Sequence, residues 1–432
     1  MENIELTEAV QKGNKWWKEK FELEFKHREI YDKIKRFLHT RQIIAITGLR
    51  RTGKTTIMLK LIADLIGKYK AENILYFSFD DFKEEKLTTI IKTYERLMNK
   101  DTAKGNYLIL FDEIQKVNGW EEQIKRIYDS NKGIKLFISG SESLFIRKKL
   151  RENLSGRMFE FHVKTLNFRE YLLFKNKTFD NINLYKEEIL REFNSFLYCS
   201  GFPEIINENK EIIEKYLVDN VIDKMIYKDM AQIFYIKEPA ILEQIFKIIL
   251  NDPGQIINIE GLANESNISR QTASLYLDYL EKAFLIKKVY AFSRNARKTQ
   301  RRLKKYYPLI FLPNLVENPE KFGKIFETSM ILHLNADFFW RDTYKNEVDA
   351  VIVKENKIIP IEIKSGKIDC KALKLFMKIF NLNHGMVLSY QQKDVIKFDR
   401  GEIEIIPFYE YFLNSNDKVT DVVKVSEIVE EV

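Results

Sequence analysis

The stretch that most limits what this chain can fold into is "GLRRTGKTT", which begins at Gly48 directly after the apolar run "IIAIT". It matches the P-loop pattern G-x-x-x-x-G-K-[ST] in full. Such a loop needs a buried strand before it and a helix after it, because its backbone N–H groups and the first turn of the helix surround phosphate oxygens. The sequence therefore predicts a strand, a loop and a helix that begins near Lys54, within an α/β fold.

The residue types in this loop each suit nucleotide binding. Gly48 and Gly53 let the backbone curve so that successive N–H groups face the phosphates. The lysine then reaches the outer phosphates and the threonine hydroxyl joins the shell of a magnesium ion. We therefore predict ATP and Mg2+ as cofactors, with the nucleotide held by Gly48, Arg50, Arg51, Thr52, Gly53, Lys54, Thr55 and Thr56 and the metal held in part by Thr55.

A second apolar run, "YLILFDEIQ", supplies the acids that a P-loop requires. Nucleotide hydrolysis needs a carboxylate in the magnesium shell and a group that positions the attacking water. The run from Tyr107 to Phe111 reads as a buried parallel strand that ends at Asp112. We predict that Asp112 binds the magnesium ion and contributes to the nucleotide site, and that Glu113 is the catalytic base for the water.

A third apolar run, "KLFISGSES", ends in small polar residues. The carboxyl ends of parallel strands meet at the edge of the sheet where ligands bind. Either Ser139 or Ser141 is therefore a candidate to contact the outer phosphate, and an ordinary turn is the alternative. Ser139 is the residue that we assign to the nucleotide site.

The segments "GLRRTGKTT", "LILFDEIQ", "KLFISGSESL" and "LSGRMFEFHVKTLNFREYL" resemble, in order and spacing, prokaryotic ATPases of the AAA superfamily whose C-terminal half carries a winged helix and a nuclease-like domain. In that group the pair "GR" follows the third strand. The resemblance therefore implies that Arg157 is a catalytic finger or sensor arginine, acting within its own chain or in a neighbouring subunit. A surface arginine is the alternative.

The middle of the chain carries helical periodicity and then a dense group of cations. Apolar residues recur every three or four positions from "REFNSFLYCSGFPEII" to "KEPAILEQIFKIILND", which predicts a helical lid or linker. The segment "INIEGLANESNISRQTASLYLDYLEKAFLIKKVYAF" predicts helix, turn and helix with Ser269 as N-cap, followed by a wing strand. Arg270, Gln271 and Thr272 would then begin a DNA-reading helix. The predicted wing holds a run of cations, Arg294, Arg297, Lys298, Arg301, Arg302, Lys304 and Lys305, which phosphate would neutralise. Contact with a protein is the alternative to DNA.

Near the C-terminus, "VDAVIV" and "IIPIEIK" alternate as two strands of a hairpin. Glu362 and Lys364 lie two residues apart and so project from one face, with Asp349 on the neighbouring strand. Two carboxylates and a lysine can hold a divalent cation and activate water. The arrangement resembles the PD-(D/E)XK nuclease fold, which implies catalytic Asp349, Glu362 and Lys364 and metal ligands Asp349, Glu362 and Glu327. A cross-strand ion-pair pattern is the alternative.

Composition narrows the class of protein. The 432 residues are enough for several domains, and the net charge of +8 is compatible with nucleic-acid binding. No stretch has the 18 or so uncharged apolar residues of a membrane-spanning helix, and the N-terminal residues lack the apolar centre of a signal peptide. We therefore expect a cytoplasmic protein without a membrane partner. Its two cysteines, Cys199 and Cys370, are expected to be reduced.

We predict four domains: residues 1–165 as the P-loop ATPase domain, 166–250 as the helical lid or linker, 251–312 as the winged helix and 313–432 as the nuclease-like domain. The leading hypothesis is a magnesium-dependent ATPase that binds DNA and controls or positions the nuclease-like domain, with a homo-oligomer as a possible assembly. The alternative is an ATP-dependent switch that binds a protein or DNA partner and whose nuclease-like domain is catalytically silent.

Overall fold

The computed structural model describes residues 4–82, 85–140, 154–294, 303–355, 357–399 and 401–413. The chain forms two compact units. Unit 1 contains Met1–Leu166 with the short segments Phe202–Glu204 and Lys282–Phe284, and unit 2 contains Asn167–Gly201, Ile205–Glu281 and Leu285–Val432. Among the described residues, no helix has the length and apolar character needed to cross a membrane.

Unit 1 is built on a sheet whose strands all run parallel, in the order β2-β3-β4-β1-β5. Four of its strands are almost completely apolar, as expected for parallel strands that helices cover on both faces. Because the strands are parallel, their carboxyl ends meet at one edge. The five strands are β1 (Ile43–Thr47), β2 (Ile74–Ser78), β3 (Tyr107–Asp112), β4 (Ile134–Gly140) and β5 (Met158–His162).

Helices bury both faces of this sheet. On one face, alternate strand residues such as Leu75, Ile109 and Ile138 form a core with Leu6, Ile90 and other residues of three helices. On the other face, Ile44, Ile46 and Leu110 pack against the helix that follows the P-loop. The helices of unit 1 are Ile4–Gly13, Glu29–Lys35, Lys54–Leu65, Leu87–Met98 and Trp120–Ser130, with 3-10 turns at Lys15–Trp17, Ala71–Asn73 and Ile114–Lys116.

Unit 2 contains a mixed sheet in the order β13-β14-β12-β11-β10-β9-β7-β8-β6. The two halves join where β7 pairs with β9, through Tyr290 opposite Phe338 and Ala291 opposite Phe339. The strands are β6 (Gln255–Ile256), β7 (Ile286–Ala291), β8 (Lys304–Pro308), β9 (Phe338–Arg341), β10 (Glu347–Lys354), β11 (Lys357–Lys364), β12 (His384–Ser389), β13 (Asp394–Phe398) and β14 (Gly401–Pro407).

Helices make up most of the remainder of unit 2. One core places Leu373 and Phe376 of a helix against Val348, Val351 and Val387 of the sheet. The helices are Phe168–Phe174, Lys186–Cys199, Lys210–Lys215, Ala231–Phe234, Pro239–Asn251, Ile259–Glu265, Arg270–Lys282, Pro313–Val316, Pro319–Leu334, Lys371–Phe380 and Phe408–Leu413, with π-helical segments at Tyr216–Ile222 and Lys224–Met230. The 3-10 turn Pro203–Ile205 has its first two residues in unit 1.

The predicted α/β fold with a parallel sheet is confirmed. The four domain boundaries stay predictions, but the one at residue 312 falls inside a single sheet, since strands before it (β6–β8) and after it (β9–β14) are hydrogen-bonded together. Backbone pairing between β7 and β9 joins the two segments because each strand satisfies N–H and C=O groups of the other.

Candidate functional site

The P-loop leaves β1 at the carboxyl edge of the unit 1 sheet and turns back through residues with positive φ. Gly48 has φ 146°, Arg51 63° and Gly53 93°. A Cβ atom on Gly48 would lie 2.2 Å from the carbonyl oxygen of Val163, so this position has room only for glycine. The helix then begins at Lys54, as the sequence predicts, with its first N–H groups at the loop.

Lys54 lies folded over the loop. Its Nζ atom donates hydrogen bonds to the carbonyl oxygens of Gly48, at 3.1 Å, and Leu49, at 2.8 Å. The Thr52 hydroxyl donates to the Leu49 carbonyl as well, at 2.9 Å. These bonds hold the buried ammonium group and the loop backbone together, which places a cation where P-loop lysines bind phosphate.

The hydroxyl of Thr55 and the carboxylate of Asp112 meet at the same sheet edge. Thr55 Oγ1 donates to Asp112 Oδ2 at 2.6 Å, and the Tyr76 hydroxyl donates to the same oxygen at 3.0 Å. Ser139, at the end of β4, donates its hydroxyl hydrogen bond to Asp112 Oδ1. Hard oxygen ligands of this kind suit Mg2+, so the residues present fit the ion that the sequence predicts.

Glu113 follows Asp112 directly and turns the chain out of the strand with φ 54°. Its backbone N–H donates to Asp112 Oδ1 at 3.0 Å, and the side chain of Gln115 donates to Glu113 Oε2 at 2.6 Å. Burial raises the pKa of Glu113; Lys54 opposes this shift and Asp112 adds to it. A carboxylate with a raised pKa is a stronger proton acceptor once it is ionised, which suits the role of base.

Arg28 is a residue of this site that the sequence analysis missed. Its guanidinium donates to the carbonyl of Thr52 at 3.0 Å and to the carbonyl of Lys164 at 2.8 Å, and the residue is only 4% exposed. Arg28 thus joins the P-loop to the segment after β5. No pattern in the sequence indicates this contact, because Arg28 lies 24 residues before the residue that it supports.

Glu204 is a second missed residue. Its Oε2 atom accepts from the guanidinium of Arg51 at 2.5 Å, across 153 residues of sequence. Glu204 ends the segment "SGFPE", whose residues alone do not indicate a chemical role. The predicted contacts of Arg50, half-buried on the loop, and of Thr56, exposed on the helix, stay predictions. Ser141 lies outside the described residues.

The structure does not bring Arg157 to its own P-loop. Its carbonyl accepts from the N–H of Ile43 at 2.8 Å, and its side chain forms an ion pair with Asp129 at 3.5 Å. That position is level with the beginning of β1, whereas the P-loop follows the end of the strand. The five residues of β1 span roughly 16 Å of extended chain, so the structure places the Arg157 side chain away from the P-loop of its own chain.

Unit 2 contains a group of buried charges that we call the carboxylate–lysine cluster. It joins the β10–β11 hairpin, the strand β8 and the helix Pro319–Leu334. The predicted site residues Glu327, Asp349, Glu362 and Lys364 all belong to it. Its members are Lys305, Tyr307, Glu327, Arg341, Glu347, Asp349, Glu362 and Lys364.

On the hairpin side of the cluster, Lys364 binds both predicted acids. Its Nζ atom lies 2.7 Å from Glu362 Oε1 and 3.5 Å from Asp349 Oδ2, and the latter oxygen also accepts from the N–H of Ile363 at 2.8 Å. Burial, and then the nearby Asp349 carboxylate, raise the pKa of Glu362 to about 8 against the opposing effect of Lys364. The second oxygen, Glu362 Oε2, is buried without a hydrogen-bond partner in the described part of the chain.

On the helix side, a second lysine binds two other acids. Lys305 Nζ lies 3.2 Å from Glu327 Oε1 and 2.5 Å from Glu347 Oε1, and the Tyr307 hydroxyl donates to Glu327 Oε1 at 2.7 Å. Burial alone lowers the pKa of Lys305, but the carboxylates of Glu327, Asp349 and Glu347 outweigh it and the pKa is raised. The prediction that Lys305 faces a polyanion in solution is therefore wrong, because β8 turns this side chain inward.

The predicted metal set of Glu327, Asp349 and Glu362 also needs correction. Within the residues that the structure describes, no three His, Cys, Asp or Glu side chains form a group that could hold a metal ion. The physical reason is that ammonium groups lie against one oxygen of each carboxylate, Lys305 against Glu327 and Lys364 against Asp349 and Glu362. As arranged, the cluster is a network of ion pairs.

The helix Arg270–Lys282 presents its first turn to solvent. Ser269 caps it, because its hydroxyl accepts from the Thr272 N–H at 3.0 Å, as predicted. Arg270 and Gln271 are exposed. Of the other predicted cations, Arg294 is exposed, although it donates to the carbonyl of Phe380, and Lys304 is half-buried over the Tyr290 ring. Arg297, Lys298, Arg301 and Arg302 lie outside the described residues.

Three segments of the chain match known domain families. Residues 40–172 match the family described as "AAA domain", and residues 190–309 and 322–411 match two domain families of unknown function. Uncharacterized protein MJ1544 of Methanocaldococcus jannaschii is 30% identical over 407 residues, which span 86% of this chain and 88% of that protein. Uncharacterized protein MJ1637 of the same organism is 26% identical over 317 residues, 66% of this chain and 65% of that protein.

Among solved structures, the RuvB Holliday junction branch migration motor of Thermotoga maritima matches 66% of this chain and 98% of its own, with 17% identity and a TM-score of 0.32. The relationship to MJ1544 extends over most of both proteins. The AAA match covers every P-loop residue, and also Asp112 at the end of β3 and Glu113 directly after it. The chain therefore belongs to the protein family of MJ1544, and its residues 40–172 match the AAA domain family.

Proposed function

We propose that the chain binds ATP with Mg2+ and hydrolyses it at the P-loop of unit 1. The observation that carries this proposal is the 2.6 Å hydrogen bond between Thr55 Oγ1 and Asp112 Oδ2. It brings together a loop hydroxyl and a strand-end carboxylate, the two protein ligands that P-loop enzymes use for magnesium. When bound, Mg2+ would neutralise charge on the outer phosphates, and these two side chains would hold it.

The residues of the chain supply the remaining functions. Lys54 can exchange its hydrogen bonds to the loop carbonyls for bonds to phosphate oxygens, and the N–H groups at the start of its helix face the same space. Glu113 orients the attacking water and accepts its proton. Ser139 keeps Asp112 in place through the hydrogen bond to Oδ1. Because Arg157 is far from its own P-loop, it contributes only if a second copy of the chain presents it.

An Asp112→Asn variant tests this proposal. An amide has no negative charge for the metal, so we expect the apparent affinity for Mg2+ in ATP hydrolysis to fall by roughly 100-fold. Phosphate release measured over a range of Mg2+ concentrations provides the value. Asp129→Asn is the matched control, because Asp129 lies in the same unit beside Arg157, at the opposite edge of the sheet. An Asp112→Asn chain with an unchanged Mg2+ requirement contradicts the assignment.

We also propose that unit 2 binds DNA through the start of the helix Arg270–Lys282. The exposed Arg270 and Gln271 lie in the first turn, where N–H groups and side chains of a reading helix contact phosphates and base edges. The helix Ile259–Glu265 precedes it and the strands β7 and β8 follow, which is the order of elements in a winged helix. The positive net charge of the chain favours a polyanionic partner.

Arg270→Ala is expected to weaken binding to a labelled DNA duplex and to reduce the salt dependence of binding. Loss of one phosphate contact lowers the slope of log K against log salt concentration by roughly 1. Fluorescence anisotropy at several salt concentrations measures both quantities. The control is Lys282→Ala, which removes the same charge from an exposed position at the other end of the same helix. Equal losses in the two variants would indicate only a non-specific effect of charge.

Cleavage of DNA at the carboxylate–lysine cluster is a second candidate function, favoured by the contact of Lys364 with both Glu362 and Asp349. In that case nucleotide hydrolysis would control or position the cutting site. The alternative is a switch in which the nuclease-like domain binds and does not cut. The nuclease and the switch can be distinguished by incubating labelled duplex, single-stranded and branched DNA with Mn2+, with and without ATP. Cutting that Asp349→Ala abolishes supports the nuclease, and intact DNA alongside ATP hydrolysis supports the switch.

A further inference from the structure

Tyr76, on the strand β2, reaches the carboxylate that we assign to the metal site. The strand lies at one edge of the unit 1 sheet, and Tyr76 pairs with Leu110 of β3, two residues before Asp112. Positions that lie diagonally across two paired strands are within reach of an aromatic side chain. The ring of Tyr76 packs in the core that includes the helix Lys54–Leu65, and its hydroxyl donates to Asp112 Oδ2 at 3.0 Å. A third strand therefore contributes a polar group to the site.

The hydrogen bonds of Asp112 show what this hydroxyl contributes. An ionised carboxylate accepts hydrogen bonds at about four positions and donates none. Among the described residues, Thr55 Oγ1 and the Tyr76 hydroxyl donate to Oδ2. The Ser139 hydroxyl and the Glu113 N–H donate to Oδ1. Because Thr55 is itself a predicted metal ligand, Tyr76 is the donor to Oδ2 that stays outside the metal shell and can fix the direction of the carboxylate.

The backbone of Tyr76 is held from the outer edge of the sheet. Asn14, which is 1% exposed, accepts from the Tyr76 N–H at 2.7 Å and donates to the Tyr76 carbonyl at 2.8 Å. Two residues earlier on the strand, the indole N–H groups of Trp16 and Trp17 donate to the Ile74 carbonyl at 3.2 and 2.8 Å. These side chains satisfy groups that an edge strand otherwise leaves unpaired. The Tyr76 hydroxyl therefore extends from a backbone that is fixed on both sides.

We propose that Tyr76 is a positioning residue of the metal site and acts on the bound Mg2+ through Asp112. This role rests on the proposed binding of ATP with Mg2+ and adds a residue to it. A metal-binding carboxylate typically loses roughly 10- to 100-fold in metal affinity or activity when the group that orients it is removed. Because Asn14, Trp16 and Trp17 precede residues 40–172, the geometry of the site then depends on a segment outside the AAA match.

Tyr76→Phe tests this role, because it keeps the ring and removes only the hydroxyl. The measured quantity is the equilibrium affinity of the full chain for a fluorescent, non-hydrolysable ATP analogue, first in Mg2+ and then in EDTA. We expect the affinity in Mg2+ to fall about tenfold and the affinity in EDTA to stay unchanged. ATP hydrolysis should require about tenfold more Mg2+ and reach the same maximal rate once Mg2+ is saturating.

Two further variants show whether the hydroxyl acts through the carboxylate. Tyr31→Phe is the matched control, because the buried Tyr31 also donates to a carboxylate of unit 1, Asp64 Oδ2, at 2.5 Å. It should leave the affinity in Mg2+ unchanged, and a loss equal to that of Tyr76→Phe would overturn the proposal. Addition of Tyr76→Phe to Asp112→Asn should cause no further loss, since residues that act as one unit are not additive.

The measurements in Mg2+ and EDTA separate a failure of this role from a failure of the proposed function. If Asp112→Asn loses the effect of Mg2+ and Tyr76→Phe keeps it, the metal site stands and the role of Tyr76 is overturned. If Tyr76→Phe weakens binding equally in Mg2+ and in EDTA, its hydroxyl is only structural and the role is overturned as well. If Asp112→Asn itself keeps the full effect of Mg2+, the metal assignment and the role of Tyr76 fail together.

Discussion

A chain that carries Glu113→Gln is expected to bind ATP with unchanged affinity and to hydrolyse it about 100-fold more slowly or worse. The amide has the same shape as the carboxylate, so the fold of the site is preserved. It cannot accept a proton from the attacking water, and removal of a general base typically costs this factor. Nucleotide binding by equilibrium fluorescence and phosphate release under single-turnover conditions separate the two effects.

The exposed glutamate Glu122, on the helix that follows, supplies the matched control, since Glu122→Gln changes the same group without touching the site. Lys54→Ala should instead weaken ATP binding itself, because it removes the cation that binds phosphate.

The pH dependence of hydrolysis offers a further check. Burial raises the pKa of Glu113, so hydrolysis should decline as the pH falls through that raised pKa, and this decline should vanish in Glu113→Gln. Unchanged hydrolysis in the variant would mean that Glu113 is not the base.

Gly48→Ala should weaken nucleotide binding by displacing the P-loop. A methyl group on Gly48 would lie 2.2 Å from the Val163 carbonyl, so either the loop or the segment after β5 has to move. The strained φ of 146° adds about 1–3 kcal/mol. A combined cost of about 2.8 kcal/mol corresponds to a 100-fold loss of ATP affinity, and titration calorimetry measures it.

Gly67→Ala separates the effect of the steric clash with Val163 from the effect of backbone strain at a positive φ. Gly67 also has a positive φ, 102°, but a Cβ atom there meets nothing within 4 Å. It should lower thermal stability through backbone strain and leave ATP affinity unchanged. If Gly48→Ala bound ATP as well as Gly67→Ala does, the close approach of Val163 to the loop would have no bearing on phosphate binding.

The nucleotide site was largely predictable because most of it is local in sequence. The residues from Gly48 to Thr55 are consecutive, and their function depends on a strand and a helix whose apolar patterns adjoin them. Asp112 was predictable for a related reason, since parallel strands end at one edge. Arg28 was missed because it acts on the loop from 24 residues away and carries no pattern of its own. Glu204 was missed because its segment "SGFPE" does not indicate that it contacts the loop, 153 residues away in sequence.

In unit 2, the hairpin was predictable and the orientation of the cations was not. Alternation in the two strands placed Asp349, Glu362 and Lys364 correctly, and Ala350 indeed lies opposite Ile361. A dense run of lysines and arginines was interpreted as one exposed surface. In a strand, however, successive side chains point to opposite faces, so Lys305 and Tyr307 share the face that meets Glu327. Period-two counting through "KKYYP" would have identified this inward pair.

The continuous sheet of unit 2 has a mechanical consequence. Strands β8, β7, β9, β10 and β11 are linked in an unbroken series of backbone hydrogen bonds, and Lys305 and Asp349 stand on members of that series. Such a sheet resists hinge bending, because bending would break several bonds at once. The positions of Lys305 and Asp349 relative to one another are therefore fixed by the backbone of the sheet itself.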